Sequence, residues 1–427
     1  MHPKWVHPFS FNPSKTICMA KVKKEGAWPR IRKFMNDIHL WAGLISGIVL
    51  LVVCLSGTVY VYNTEIREWG APHLYKVAVP VGRTALSVEE VLKKGEDHIQ
   101  GHITGIKIPY DPDRSYQVTA KVEGDKSRFG TTYFFDPYTG DFLGDSKGKN
   151  KASEFMGTMF SLHRWLLLDK VEKPIFSGLE NRKLGSYITG TATILFTIGV
   201  LTGLVIWVPR KAKYWRQGLK IKFNANWKRI NHDLHNTLAI YSAIILFLMG
   251  VTGPFWSFPW YREALQKSLG TYQERGTNGP GGGNSEKENG RSVKRDVELF
   301  AMADYLAVVD AELDYPGEYT IGLPQKGGTE LSIGKKRAGF FAPAASDKIV
   351  LDVTTKAVKE KETFRSKPLN ERISRSIKAL HVGDVYGSFS KLLYFISCLI
   401  ATSLPITGTL IWINKMKKTK KKGEENR

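Results

Sequence analysis

The sequence predicts a membrane α-helical protein: a four-helix transmembrane bundle built by an internal duplication, with two extracytoplasmic α+β domains. Three observations predict it. Four apolar runs are long enough to span a bilayer, Lys and Arg gather in three short segments beside those runs, and one histidine pattern recurs in each half of the chain.

A span needs about 20 apolar residues, and the runs at 40–62, 186–208, 236–257 and 389–413 meet this. The formal net charge of +22 lies mostly in residues 1–39, 209–235 and 414–427. Lys/Arg excess beside a span marks the cytoplasmic face, so these become a basic N-terminus, a basic loop and a basic tail on one side of an inner membrane. Both termini are then cytoplasmic, and the charge reads as topology rather than as a nucleic-acid surface. The first apolar run begins near Leu40, behind a long basic stretch, and is too long for a cleavable signal. Cys18, Cys54 and Cys398 lie outside the polar segments, so those segments have no disulfide framework. No Cys-x-x-Cys-His occurs for covalent haem attachment.

The connections 63–185 and 258–388 fall outside and have folded patterns. In the first, Leu86–His98 has helical periodicity with Ser87 as N-cap. Alternating stretches Ile103–Pro109, Tyr116–Val122 and Thr131–Asp136 then lead into the turn Asp136-Pro137-Tyr138-Thr139-Gly140. The second repeats the plan: Val297–Ala311 as helix, then Tyr319–Leu323, Glu330–Gly334 and Lys348–Val353 as strands. Residues 275–291, rich in Gly, Asn, Ser and Glu, read as a flexible loop.

The duplication is visible in the spans. Asn36-Asp37-Ile38-His39 aligns with His232-Asp233-Leu234-His235, and His39 and His235 are followed at one fixed spacing by Ser56-Gly57 and Thr252-Gly253. Leu201-Thr202-Gly203 with Trp207 aligns with Ile406-Thr407-Gly408 with Trp412, and Leu162-His163 and Leu380-His381 precede those spans.

Four of the ten histidines thus occupy repeated positions: His39 and His235 at the inner ends of spans one and three, His163 and His381 outside spans two and four. Imidazole binds haem iron through a neutral nitrogen, and paired histidines on facing helices suit electron transfer. Gly43 and Gly47 share the face of His39, as Ala239 and Ala243 share that of His235. Small residues there leave room for a flat macrocycle, or serve only close helix packing. Gly57 and Gly253 fall near the outer histidines, Gly203 and Gly408 near the inner ones. His232 competes with His235 as an inner ligand. Arg164 and Arg210 are candidates for haem propionates, with interfacial snorkelling as the alternative. His2, His7, His73, His98 and His102 have no partner in the repeat and read as surface residues.

These residues resemble the PepSY-associated transmembrane proteins, which include periplasmic siderophore reductases and other iron-regulated membrane proteins. The resemblance is carried by Ile38-His39-Leu40-Trp41-Ala42-Gly43-Leu44 with Ser56-Gly57, by Leu162-His163-Arg164-Trp165-Leu166-Leu167, and by Leu201-Thr202-Gly203 with Trp207-Val208-Pro209-Arg210. The unit ending at Gly140 looks like a PepSY domain, and its counterpart, ending Asp352-Val353-Thr354-Thr355-Lys356, lacks the turn glycine. The resemblance implies two haems b, the inner on His39 and His235 and the outer on His163 and His381. It also implies outward electron transfer that reduces a ferric chelate such as a siderophore.

No Gly-x-Gly-x-x-Gly fingerprint opens a βαβ unit, and the cytoplasmic segments are too short for a flavin–nicotinamide module. Electrons would therefore come from a membrane quinol or a cytoplasmic donor protein. A transporter is disfavoured because the spans hold almost no ionisable residues. The alternative function is a non-enzymatic PepSY membrane sensor or peptidase-regulating binding protein, which would tolerate loss of the four histidines.

Overall fold

The computed structural model describes residues 27–124, 130–148, 150–209, 212–274, 301–324 and 328–425. The segment 275–291 and the start of the Val297–Ala311 stretch lie outside them.

In chain order the first span, α1 (Ala27–Tyr60), is followed by α2 (Asn63–Gly70), α3 (Pro72–Tyr75), α4 (Val88–Lys94) and strands β1 (His102–Ile108), β2 (Tyr116–Lys121), β3 (Thr131–Phe135) and β4 (Phe142–Asp145). Then come α5 (Lys151–Trp165), the second span α6 (Asn181–Trp207), and the third, α7 (Trp227–Thr252), with α8 (Pro259–Ser268) beyond it. The second outer segment holds α9 (Met302–Glu312), β5 (Gly317–Gly322), β6 (Glu330–Arg337), β7 (Ser346–Asp352) and β8 (Val358–Glu362). It closes with α10 (Leu369–Arg375) and α11 (Ile377–Val382) before the last span, α12 (Gly387–Glu425).

Among the described residues, four helices are long and apolar enough to cross a membrane. At 1.5 Å per residue each exceeds the roughly 30 Å hydrocarbon core. Their strongest contacts run α1–α6–α7–α12 and back to α1, so the four close into a ring with α1 diagonal to α7. Buried small and hydroxyl residues line the inside, among them Ala42, Ser46 and Ser56 on α1 and Thr237, Ser242 and Ala243 on α7. The serines donate to carbonyls of their own helices, as Ser46 does to Ala42, and Thr237 donates to the Gly218 carbonyl of the preceding loop. Isoleucine and leucine face outward, as a lipid solvent requires.

The two outer segments build one antiparallel eight-stranded sheet, ordered β4-β3-β2-β1-β5-β6-β7-β8. Each segment contributes a four-stranded meander, and the two meet where Ile106 pairs with Ile321 and Lys107 with Thr320. One core crosses the seam: Val88 and Ile106 from the first segment pack with Met302, Tyr305, Ile321 and Leu331 from the second. The Met302 amide also donates to the Glu89 carboxylate. Ser87 caps α4 in a reciprocal box with Glu90.

The turns after β3 and β7 share one design. Asp136 accepts from the amides of Tyr138 and Thr139, and Asp352 from those of Thr354 and Thr355. The fifth residue of each turn is left-handed, Gly140 at φ +78° and Lys356 at φ +60°. Lysine thus stands where the first turn has glycine, in a conformation that costs a side-chain-bearing residue about 1–2 kcal/mol.

Candidate functional site

The bundle gathers the four repeated histidines into two pairs. His39 on α1 and His235 on α7 face each other across its diagonal, with ring centroids 6.2 Å apart and planes at 86°. His163 on α5 and His381 on α11 form the second pair, with centroids 6.1 Å apart. These short helices place their histidines at the far ends of α1 and α7, so the pairs are about 20 Å apart along the helix axis. Asn150 caps α5 through the amides of Ala152 and Ser153. Past His163 the chain turns through Leu166 and Leu167, both left-handed, at φ 54° and 62°. Asn181 ties the loop that follows to the start of α6 by donating to the carbonyls of Val171 and Lys173.

Every ring is oriented through Nδ1. His163 bonds to the Val53 carbonyl at 2.8 Å, and His39 to the Gly199 carbonyl at 3.0 Å and to Thr202 Oγ1 at 3.2 Å. His235 meets Thr407 Oγ1 at 2.8 Å and His381 meets Thr252 Oγ1 at 3.0 Å. A carbonyl only accepts, so Nδ1 of His163 and of His39 carries the proton. The hydroxyls of Thr407 and Thr252 already donate to the Ser403 and Leu248 carbonyls, which leaves them to accept from the other two rings. The assigned tautomer is therefore the same at all four. Each Nε2 keeps its lone pair, and among the described residues none makes a protein hydrogen bond.

The glycines beside these hydroxyls make room for the rings. A Cβ on Gly57 would lie 3.0 Å from Cε1 and Nδ1 of His163, and one on Gly203 would lie 3.2 Å from Cε1 of His39. Gly408 stands to His235 as Gly203 does to His39, at 3.2 Å, and a Cβ on Gly253 would be 3.5 Å from His381. The Ser/Thr-Gly repeat is thus a seat for an imidazole, in which the glycine admits the ring and, at three of the four, the threonine turns it. Gly43 opens on empty space, whereas a Cβ on Gly47 would touch Pro405 at 3.6 Å.

A family model described as the PepSY-associated TM region matches residues 37–415, a stretch that contains both histidine pairs and the whole sheet. The chain belongs to this family. No curated protein matches it.

Within this PepSY-associated TM region, Arg164 lies beside the second pair. Arg164 donates to the Trp256 carbonyl at 2.7 Å, and the Trp256 ring lies 5.2 Å from that of His381. Burial, and then Arg182 and Arg262, push the Arg164 guanidinium down to about 10. Arg182 stacks on Trp165 and Arg262 on Phe255. Of these three arginines the sequence singled out only Arg164; Arg182 and Arg262 come from other helices, and only the fold brings them to it. Burial also holds His163 below its ordinary value and lowers His381 to about 3, so both imidazoles are neutral. His232 is exposed, bonds to Asn236 and sits beside Asp233, outside the His39–His235 pair. Arg210 lies outside the described residues. Among those described, no three His, Cys, Asp or Glu side chains cluster as a metal site.

Proposed function

We propose that the protein carries two b-type haems and passes electrons across an inner membrane to a ferric chelate on the sheet side. The carrying observation is the spacing of the two pairs with their unengaged Nε2 atoms. An imidazole nitrogen binds a metal at about 2 Å and the ring centroid lies roughly 1 Å further out, so two imidazoles on opposite sides of one iron have centroids roughly 6 Å apart. The separations of 6.2 and 6.1 Å fit this. His39 and His235 would hold the inner haem, His163 and His381 the outer, and haem in such sites supplies one-electron transfer with no open position for other ligands.

The protein's own part is orientation and charge. Gly199, Thr202 and Thr407 fix the inner rings, and Val53 and Thr252 the outer ones. Such outer-shell bonds raise the basicity of a ligating imidazole. Arg164, with Arg182 and Arg262 nearby, would neutralise propionates at the outer site. Gly43 offers open space one turn from His39. The basic segments support a cytoplasmic placement of the termini and of the 209–235 loop, with the sheet in the periplasm. A quinol or a cytoplasmic protein would be the donor. The mirrored sheet order, the matched Asp136 and Asp352 turns and the four imidazole seats support descent from a duplicated unit with PepSY-like outer halves.

The test is a visible spectrum of protein purified in detergent from haem-replete cells, oxidised and dithionite-reduced. The expected result is a sharp reduced α band at two haems per chain, with one lost in His39→Ala and one in His163→Ala. A chain that stays colourless with added haem overturns the reading.

A further inference from the structure

The joint between the sheet and the last span forms a half-open cavity of about 480 Å³ that the histidine pairs do not use. Its floor is the end of β6 and the start of β7. Its walls are the segment 363–365, α10, and the loop 343–345, which is tied to the bundle by the Ala344 amide on the Val385 carbonyl. Phe341 lines it and packs on Phe389 in the first turn of α12, which places the cavity at the outer end of that span.

Three guanidinium groups line it: Arg337, Arg365 and Arg372. Two are held by aromatic faces, with Arg337 lying 3.7 Å from the Tyr315 ring centroid and Arg372 5.3 Å from that of Phe364. A stacked guanidinium keeps its N–H edge for a planar oxyanion. The lining carboxylates do not take those edges. Glu312 is paired with Lys361 at 2.8 Å, and Asp347 accepts from the Tyr315 hydroxyl and the Phe364 amide. Asp314 also lines the cavity and is exposed. Among the described residues, none of the three arginines has a carboxylate within ion-pair distance. Nε of Arg372 is buried with no hydrogen-bond partner at all, and an orphaned buried donor is costly unless a ligand completes it.

We propose that this cavity is an oxyanion-binding site, taking a carboxylate or phosphate group on the edges of Arg337, Arg365 and Arg372. Two sources share that chemistry: a small anion from the aqueous side, and the headgroup of an anionic phospholipid. Exposed Phe340, Phe341 and Phe389 beside the cavity would lie at the level of lipid headgroups.

The test uses the full chain and does not depend on haem. Citrate and inorganic phosphate are titrated calorimetrically into protein in neutral detergent. In parallel, native mass spectrometry reads retained lipid after extraction from nanodiscs of phosphatidylglycerol or of phosphatidylcholine. Binding of citrate or phosphate that weakens about tenfold or more in Arg337→Gln/Arg372→Gln supports the site with an aqueous anion. Retention of phosphatidylglycerol but not phosphatidylcholine, lost in the same variant, supports it with a lipid. Lys336→Gln, the neighbouring residue on the opposite strand face, should leave both readings unchanged. If the double variant does not fold, Arg365→Gln at the exposed rim takes its place. Absence of binding in both arms, or equal loss in Lys336→Gln, overturns the proposal.

Discussion

Nδ1 of His163 donates to the main-chain carbonyl of Val53 at 2.8 Å, joining a short helix outside the bundle to the outer part of the first span. Gly57 is one turn further along α1, and its missing side chain is what lets the ring reach that carbonyl. Orientation of His163 therefore rests on two residues of the first span.

Gly57→Ala should displace the His163 ring, because the new Cβ would sit 3.0 Å from two of its atoms. We expect about tenfold weaker haem retention at the outer pair with the inner pair unaffected, measured by titrating haem into the apoprotein. Equal loss at both pairs would contradict the assignment of Gly57 to His163.

Thr407→Val and Thr202→Val should differ. His235 makes its short bond to Thr407 Oγ1 at 2.8 Å, with the Leu404 carbonyl as a further partner, whereas the shorter bond of His39 is to the Gly199 carbonyl and Thr202 lies at 3.2 Å. Loss of an outer-shell partner typically costs about 10–100-fold in metal affinity, so Thr407→Val should show the larger drop. The readout is the inner-haem dissociation rate to a haem scavenger.

The paired turns allow a sign test. Gly140→Ala forces a side chain into φ +78° and against Lys94, and should destabilise the sheet by about 1–2 kcal/mol. Lys356→Gly relieves the same conformation at the second turn and should not destabilise it, even though the ion pair with Asp304 is lost. Chemical unfolding followed by hydrogen exchange in the sheet distinguishes them.

Glu362 should make the β8–α10 joint sensitive to acid. Arg375 and Lys367 hold its carboxyl at about 2, below the ordinary 4.5. A depressed folded value means that the stabilisation is complete above about pH 4.5 and is lost as pH falls towards about 2. Glu362→Gln should flatten this dependence, read as the thermal midpoint of the sheet across that window.

Local pattern made much of the fold legible. Ser87 capped its helix, and Tyr116–Lys121 alternates as a strand with one face in the core. The histidines were legible because a repeat marks positions that hydrophobicity alone would not. Strand β8, Val358–Glu362, escaped because it is an exposed edge of alternating Lys and Glu, a pattern that protects an edge but resembles a loop. The short β4 escaped for want of length. The sequence predicted two outer domains, and their union into one sheet depends on β1 meeting β5, a pairing far apart in the chain that no local period encodes. The seating of imidazoles by Thr-Gly pairs was half legible: the sequence placed the glycines near the histidines, but only the helix contacts show that ring and glycine touch.

The β1–β5 seam also bears on how the chain is made. When β1 leaves the ribosome its partner on that side is still some two hundred residues from synthesis, and at 5–20 residues per second it waits on the order of ten seconds or longer. Throughout that time a half-finished sheet presents an open edge to any strand that will pair with it. Translation of the second half is thus a race between the chain's own β5 and neighbouring nascent copies. Co-expressed halves, 1–209 and 210–427, should find each other through the same edge.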